Sequence, residues 1–218
     1  MTTSAIGASL PRVGGEGRVT GEMEYTADVR LTDVLQAKLV HIDVARARLI
    51  SIDKTAAEAV PGVRLVMTAA DLPQPVPRFG PHVDDRPVLA VDEVRYHGEP
   101  VALVAAETKD AAEEGARLVK VEYEELPAVF TVDAALDPGA HLVQDPSLRR
   151  PDDPLADTNK FSEHHFGWGD VEAAEAQADL VVEHTYEYPM VTQFAIEPHA
   201  CQAVPDEDGI TVWTTTQH

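Results

Sequence analysis

Between residues 92 and 136 the apolar positions change period twice, and each change predicts an element. Val101-Ala-Leu-Val-Ala-Ala106 is an unbroken apolar run, the pattern of a strand buried on both faces. Thr108 then offers a helix cap, with Asp110 in the first turn, where the helix dipole favours an anion. Ala111, Ala112, Gly115, Ala116 and Val119 recur at helical spacing and form a narrow, small-residue face that can sit close on a sheet. From Val119 the period is two: Val119, Val121 and Tyr123 alternate with Lys120, Glu122 and Glu124 until Leu126-Pro127 stops the strand. A strand, a helix and a strand in so short a stretch predict mixed α/β structure.

The rest of the chain is read in the same way. Residues 1 to about 15 form a loose arm, with Gly14 and Gly15 near the start of order. Short strands are expected at 23–27, 35–42, 47–53 and 63–67. Thr55 caps a short helix over 56–60, which Pro61-Gly62 ends, and 68–72 is one more helical turn. Five prolines in 73–87 mark an irregular surface excursion, and 131–136 is a brief helix. From Asp137 to about Lys160 apolar periodicity disappears into Pro, Asp and Arg, which reads as a linker or long surface loop. Order resumes at Phe166. Asp170 caps a helix over 171–178, 180–188 reads as a strand, and Asp208-Gly209 sets a hairpin between strands at 200–204 and 210–216.

Charge and cysteine count narrow the function classes. A net charge of −21 argues against nucleic acid or an anionic membrane surface as partner, since both would repel the chain. With Cys201 as the single cysteine, neither a disulfide framework nor a Cys-ligated iron–sulfur or zinc site can be built from this chain alone. The first ten residues lack the basic region and apolar core of a signal peptide, and no run approaches membrane-spanning length, so the expected location is the cytoplasm.

Local motifs do not name a reaction. The glycines of Gly14-Gly-Glu-Gly-Arg-Val-Thr-Gly21 have the wrong spacing for a dinucleotide fingerprint, and no strand precedes them. Glu163, His164 and His165 are adjacent and so point in different directions, which favours a solvated cluster over a metal site. Glu197 and His199 are separated by Pro198 in an extended segment with no nucleophile nearby, which favours a structural role. Cys201, beside Ala200 and close to Ala203, reads as a small buried side chain.

Strings of residues say more. Gly17-Arg-Val-Thr-Gly-Glu-Met-Glu-Tyr-Thr-Ala-Asp28 is similar to the opening of the molybdenum-binding large subunit of the xanthine dehydrogenase and aldehyde oxidase family. The resemblance continues through Ala47-Arg-Leu-Ile-Ser-Ile-Asp53, Pro61-Gly-Val63, Thr68-Ala-Ala-Asp-Leu72, Gly98-Glu-Pro-Val-Ala102 and Val121-Glu-Tyr-Glu-Glu-Leu-Pro127. It resumes at Gly169-Asp-Val171, Ala178-Asp179, Thr185-Tyr186 and Glu197-Pro-His-Ala200. Glu99 stands where many relatives carry glutamine. The final Trp213-Thr-Thr-Thr-Gln-His218 matches the family's Ser/Thr-Thr-Gln-x-Pro string, whose glutamine stands beside the molybdenum centre; by position this is Gln217.

The resemblance implies an α+β (mixed α/β) architecture. After a flexible arm at 1–16, an α/β hammerhead domain covers 17–136. A linker at 137–165 leads to the first strands of an incomplete molybdopterin-binding domain at 166–218. The implied parent activity is oxidative hydroxylation of an aldehyde or N-heteroaromatic carbon with water as oxygen source. The family's Gly-Gly-Gly-Phe-Gly-Gly-Lys loop, its substrate-orienting residue and its general-base glutamate fall beyond residue 218. The expectation is therefore a scaffold with no catalytic residue and no metal ligand, inactive alone, with Gln217 as the one contact to a molybdenum–molybdopterin cofactor held mostly by other sequence. Expected partners are iron–sulfur (2Fe-2S) and FAD subunits or domains and the remainder of the molybdenum subunit. The chain would be a truncated form, a gene fragment or one piece of a split subunit. The alternatives are a non-enzymatic module for docking subunits, or the carbon monoxide, isoquinoline or nicotinate dehydrogenase branch of the same family.

Overall fold

A computed structural model describes residues 6–80, 83–189 and 191–216. In chain order, helix α1 (Gly15–Thr20) precedes strands β1 (Gln36–Val40) and β2 (Ala47–Asp53). Helix α2 (Thr55–Glu58) leads into β3 (Val63–Thr68), and two-residue strands β4 (Arg78–Phe79), β5 (Arg86–Pro87) and β6 (Glu93–Val94) follow. Next come β7 (Ala102–Ala106), α3 (Lys109–Leu118) and β8 (Lys120–Glu125). Helices α4 (Val132–Leu136) and α5 (Val171–Gln177) precede the hairpin of β9 (Cys201–Asp206) and β10 (Gly209–Thr214). The elements form two compact units, one of residues 33–178 and one drawn from both ends of the chain, 1–32 with 179–218.

The larger unit is built on two antiparallel three-stranded sheets, β1-β7-β3 and β6-β2-β8. The apolar run at 101–106 becomes the central strand β7, and four of its five residues are buried. Strand β8 belongs to the other sheet, so the strand–helix–strand stretch is not a parallel crossover. One apolar cluster joins the two sheets, with Val40, Val66, Ala102 and Val104 meeting Ala47 and Val94. Helix α3 lies on the first sheet through Ala111, Ala112 and Gly115. A Cβ at Gly115 would stand 2.9 Å from Val104 Cγ1 and 3.0 Å from Val63 Cγ2, so only glycine permits this approach.

Helix starts follow the sequence reading closely. Thr108 Oγ1 accepts the N–H of Ala111 at 3.2 Å, Thr131 Oγ1 that of Ala134 at 3.2 Å, and Asp170 Oδ1 that of Ala173 at 3.0 Å. At α2 the cap position falls on Lys54, one residue before the expected Thr55, and carries no side-chain cap bond; Asp53 Oδ1 instead accepts the N–H of Thr55 at 2.9 Å.

Three expectations differ from the structure. Residues 23–27 form no strand; Thr26–Asp28 is instead a 3₁₀ turn in which Asp28 Oδ2 accepts the N–H of Tyr25. Residues 180–188 form no helix or strand, and Leu180, Val182 and Tyr188 are exposed. An apolar run becomes a strand only where a neighbouring strand takes its backbone groups. The loop after α4 is more than an open connection. Asn159 Nδ2 donates to the carbonyls of Ala135 and His141, while its Oδ1 accepts the N–H of Val143. Arg149 binds Asp153 at 2.9 Å and the carbonyl of Lys160 at 2.8 Å. Two side chains fold this stretch back on itself.

Candidate functional site

The β9–β10 hairpin carries the chain towards the glutamine singled out in the sequence. Its register pairs Trp213 with Gln202 and Thr214 with Cys201, and the loop at its tip is Glu207-Asp208. Asp206 shapes that tip: Oδ2 accepts the Thr211 hydroxyl at 2.7 Å and Oδ1 the N–H of Asp208 at 3.0 Å. The Thr211 bond, more than the backbone ones, holds the Asp206 carboxyl below the usual carboxylate range. At the open end, Thr215 N–H donates to Ala200 O and Ala200 N–H to Thr215 Oγ1, both at 3.2 Å. Gln217 itself lies outside the described residues.

Gln202 anchors the hairpin from within the same unit. Its Nε2 donates to Thr26 O at 2.8 Å and to Val29 O at 3.0 Å, so one carboxamide holds the 3₁₀ turn of the N-terminal motif. No local pattern marked Gln202. Its partners stand more than 170 residues away.

The other candidates are solvated. Glu163 binds Lys160 at 3.1 Å and His165 at 3.4 Å, and both histidines are exposed. Among the described residues no group of three or more His, Cys, Asp or Glu could hold a metal. His199 is exposed and Glu197 half-buried. Cys201 is exposed rather than buried, because it sits on a two-stranded ribbon that no second layer of described residues covers. Among the described residues no strand leads into the glycine-rich segment around α1, as a dinucleotide turn would require.

A pterin cofactor carries phosphate, and phosphate sites use cations or convergent backbone N–H groups. Residues 179–216 hold seven carboxylates and no lysine or arginine. Residues 179–216 therefore do not by themselves fit such a group as its main cradle.

Comparison with known proteins places these observations. The family model for the aldehyde oxidase and xanthine dehydrogenase a/b hammerhead domain matches residues 20–127, and that for the molybdopterin cofactor-binding domain matches 154–218. The chain belongs to the molybdenum hydroxylase family of xanthine dehydrogenase and aldehyde oxidase. Among its relatives, a probable xanthine dehydrogenase subunit of Bacillus subtilis is 36% identical, over 96% of this chain and 27% of that protein. The nicotinate dehydrogenase large molybdopterin subunit of Eubacterium barkeri is 34% identical, over 98% of this chain and 48% of that one. Quinoline 2-oxidoreductase from Pseudomonas putida superposes with a TM-score of 0.81 at 30% identity, covering 98% of this chain and 27% of that structure. The chain thus spans between about a quarter and a half of these molybdenum hydroxylases. Several relatives are named as subunits of larger enzymes. Among the described residues, no helix is long and apolar enough to cross a membrane.

Proposed function

We propose that the chain is the opening part of the large subunit of a molybdenum-dependent hydroxylase. In this reading, residues 17–136 are the hammerhead domain, 137–165 a connector and 166–218 the start of the cofactor domain, preceded by a short arm. The supporting observation is that both family models match one chain in order and cover most of it. When bound, the molybdenum–molybdopterin cofactor supplies oxidation at an aldehyde or N-heteroaromatic carbon, with water as oxygen source. The chain's own residues contribute a framework and one contact. Gln217 follows β10 and, by the family's string, faces the cofactor, where a carboxamide can donate a hydrogen bond without changing charge. Electrons would leave through 2Fe-2S and FAD centres on partner domains or subunits in the cytoplasm.

Two measurements test the reading. In the assembled enzyme, Gln217→Ala slows turnover at least about tenfold, the loss expected for one hydrogen bond to a charged group, and leaves the subunits associated on gel filtration. The purified 218-residue chain carries no molybdenum by elemental analysis, because one neutral side chain cannot retain an anionic pterin on a chain of net charge −21. Stoichiometric molybdenum on that chain refutes the claim that the site lies mostly in other sequence.

A further inference from the structure

Asp208-Gly209 is the single Asp-Gly step in the chain, and Asn159, the single asparagine, is followed by a lysine. The step lies at the tip of the β9–β10 hairpin, where residues 205–210 are all exposed. Two-residue hairpin loops favour turns with left-handed residues, which match the twist of their strands. Neither Glu207 nor Asp208 has a positive φ, so the turn itself does little to hold the tip. Asp206 does more. Its carboxylate accepts the Thr211 hydroxyl at 2.7 Å and the Asp208 N–H at 3.0 Å, and the Gly209 N–H reaches it as well. The Asp208 carboxylate makes no hydrogen bond among the described residues. A Cβ built on Gly209 would meet nothing within 4 Å, so no neighbour crowds this residue.

We propose that Asp208 is a site of spontaneous backbone modification, isomerising to isoaspartate through a cyclic imide with Gly209, at a rate that Asp206 restrains. The Gly209 nitrogen loses its proton and bonds to Asp208 Cγ, whose C–OH bond breaks, so that one water leaves. Water then adds to a carbonyl of the five-membered imide and breaks its C–N bond. Opening at Cγ restores aspartate. Opening at the former backbone carbonyl leaves the chain running through Cγ, with the α-carboxylate free. No atom is gained or lost overall, nothing is oxidised or reduced, and water is the only co-reactant. Glycine favours ring closure because it has no side chain to shield the nitrogen and turns freely. Asp206 opposes it, since the Gly209 N–H must leave that carboxylate before the nitrogen can attack. The product puts an extra backbone carbon into a two-residue loop that has no slack. The pairing of Gly209 with Asp206 is therefore broken, while the Thr215–Ala200 end of the hairpin stays closed. The inference stands apart from the cofactor reading and does not depend on it.

The test stores the 218-residue chain at neutral pH and body temperature. IsoAsp is followed with an isoaspartate-specific carboxyl methyltransferase and labelled S-adenosylmethionine. Methyl incorporation rises with storage, and peptide mass spectrometry maps it to Asp208, preceded by a species one water lighter. Asp208→Glu keeps the charge but can close only the slower six-membered ring, and the signal is lost. Asp206→Ala frees the Gly209 N–H and raises the rate about fivefold, the effect expected of one released hydrogen bond. Incorporation that never rises, that maps chiefly elsewhere, or that survives Asp208→Glu overturns the proposal. So does a rate that Asp206→Ala leaves unchanged or lowers.

Discussion

Glu99 turns its side chain back to accept the backbone N–H of Arg95 at 2.6 Å, closing the same turn that its own N–H closes onto Tyr96 O at 3.1 Å. Gly98, at φ +89°, supplies the left-handed residue the turn needs. Glu99 is also the largest fully buried side chain among the described residues, at 1% exposure. A carboxyl there loses its water, and that desolvation raises its pKa against the opposing pull of the Arg95 N–H and of the Arg95 and Arg78 charges.

The sign of the resulting pH dependence is fixed by that direction. A raised carboxyl pKa means that the folded chain holds its proton more tightly than the unfolded one. The contribution of Glu99 is therefore complete below about pH 4.5 and is lost as pH rises through the folded value. Glu99→Gln keeps an acceptor for Arg95 and removes the charge. The variant gains stability relative to the parent between pH 5 and 8, and urea melts at both ends read the change. A parent-minus-variant difference that does not move with pH refutes the assignment.

Gly115→Ala measures the close approach of α3 to its sheet. Alanine favours the helix by about 1 kcal/mol over glycine, but its methyl group would meet Val104 at 2.9 Å. Overpacking of this kind costs about 1–3 kcal/mol, so the variant is less stable or at best neutral. Thermal melts distinguish this from the clear gain that an open helical site would give.

Asn159→Ala removes three hydrogen bonds from the folded loop. With roughly 1 kcal/mol for each such bond, the loop should open well before the sheets do. Limited proteolysis then cuts between 137 and 161 in the variant and spares that stretch in the parent.

Gln202→Leu releases the carbonyls of Thr26 and Val29. Amide exchange rises over residues 24–30, by about fivefold or more if roughly 1 kcal/mol is lost. Amides of Ala102 to Ala106 keep their protection, since they lie in the other unit.

What the sequence made legible was local. The side-chain caps at Thr108 and Asp170 work over three residues, and the small face of α3 repeats within one helix. The hairpin was marked by Asp208-Gly209 and the strands beside it. The misreadings share a different property. Whether 180–188 becomes a strand depends on a neighbour elsewhere, and Cys201 is exposed because nothing described covers its ribbon. Asn159, Arg149 and Gln202 act through hydrogen bonds to backbone far along the chain, which leave no periodicity. Glu99 drew notice only as a letter within a family string; its burial follows from tertiary packing. Gln217, the one site residue the sequence nominated, falls outside the described residues.

The bond from Gln202 to Thr26 spans 176 residues, and that separation sets a timetable. At roughly 5–20 residues per second of synthesis, the Thr26 turn emerges on the order of ten to thirty-five seconds before the hairpin that holds it. The unit of residues 33–178 has all its chain available during that interval and can fold as it leaves the ribosome. The family's opening motif cannot, and must wait as an unpaired leader for a strand not yet made.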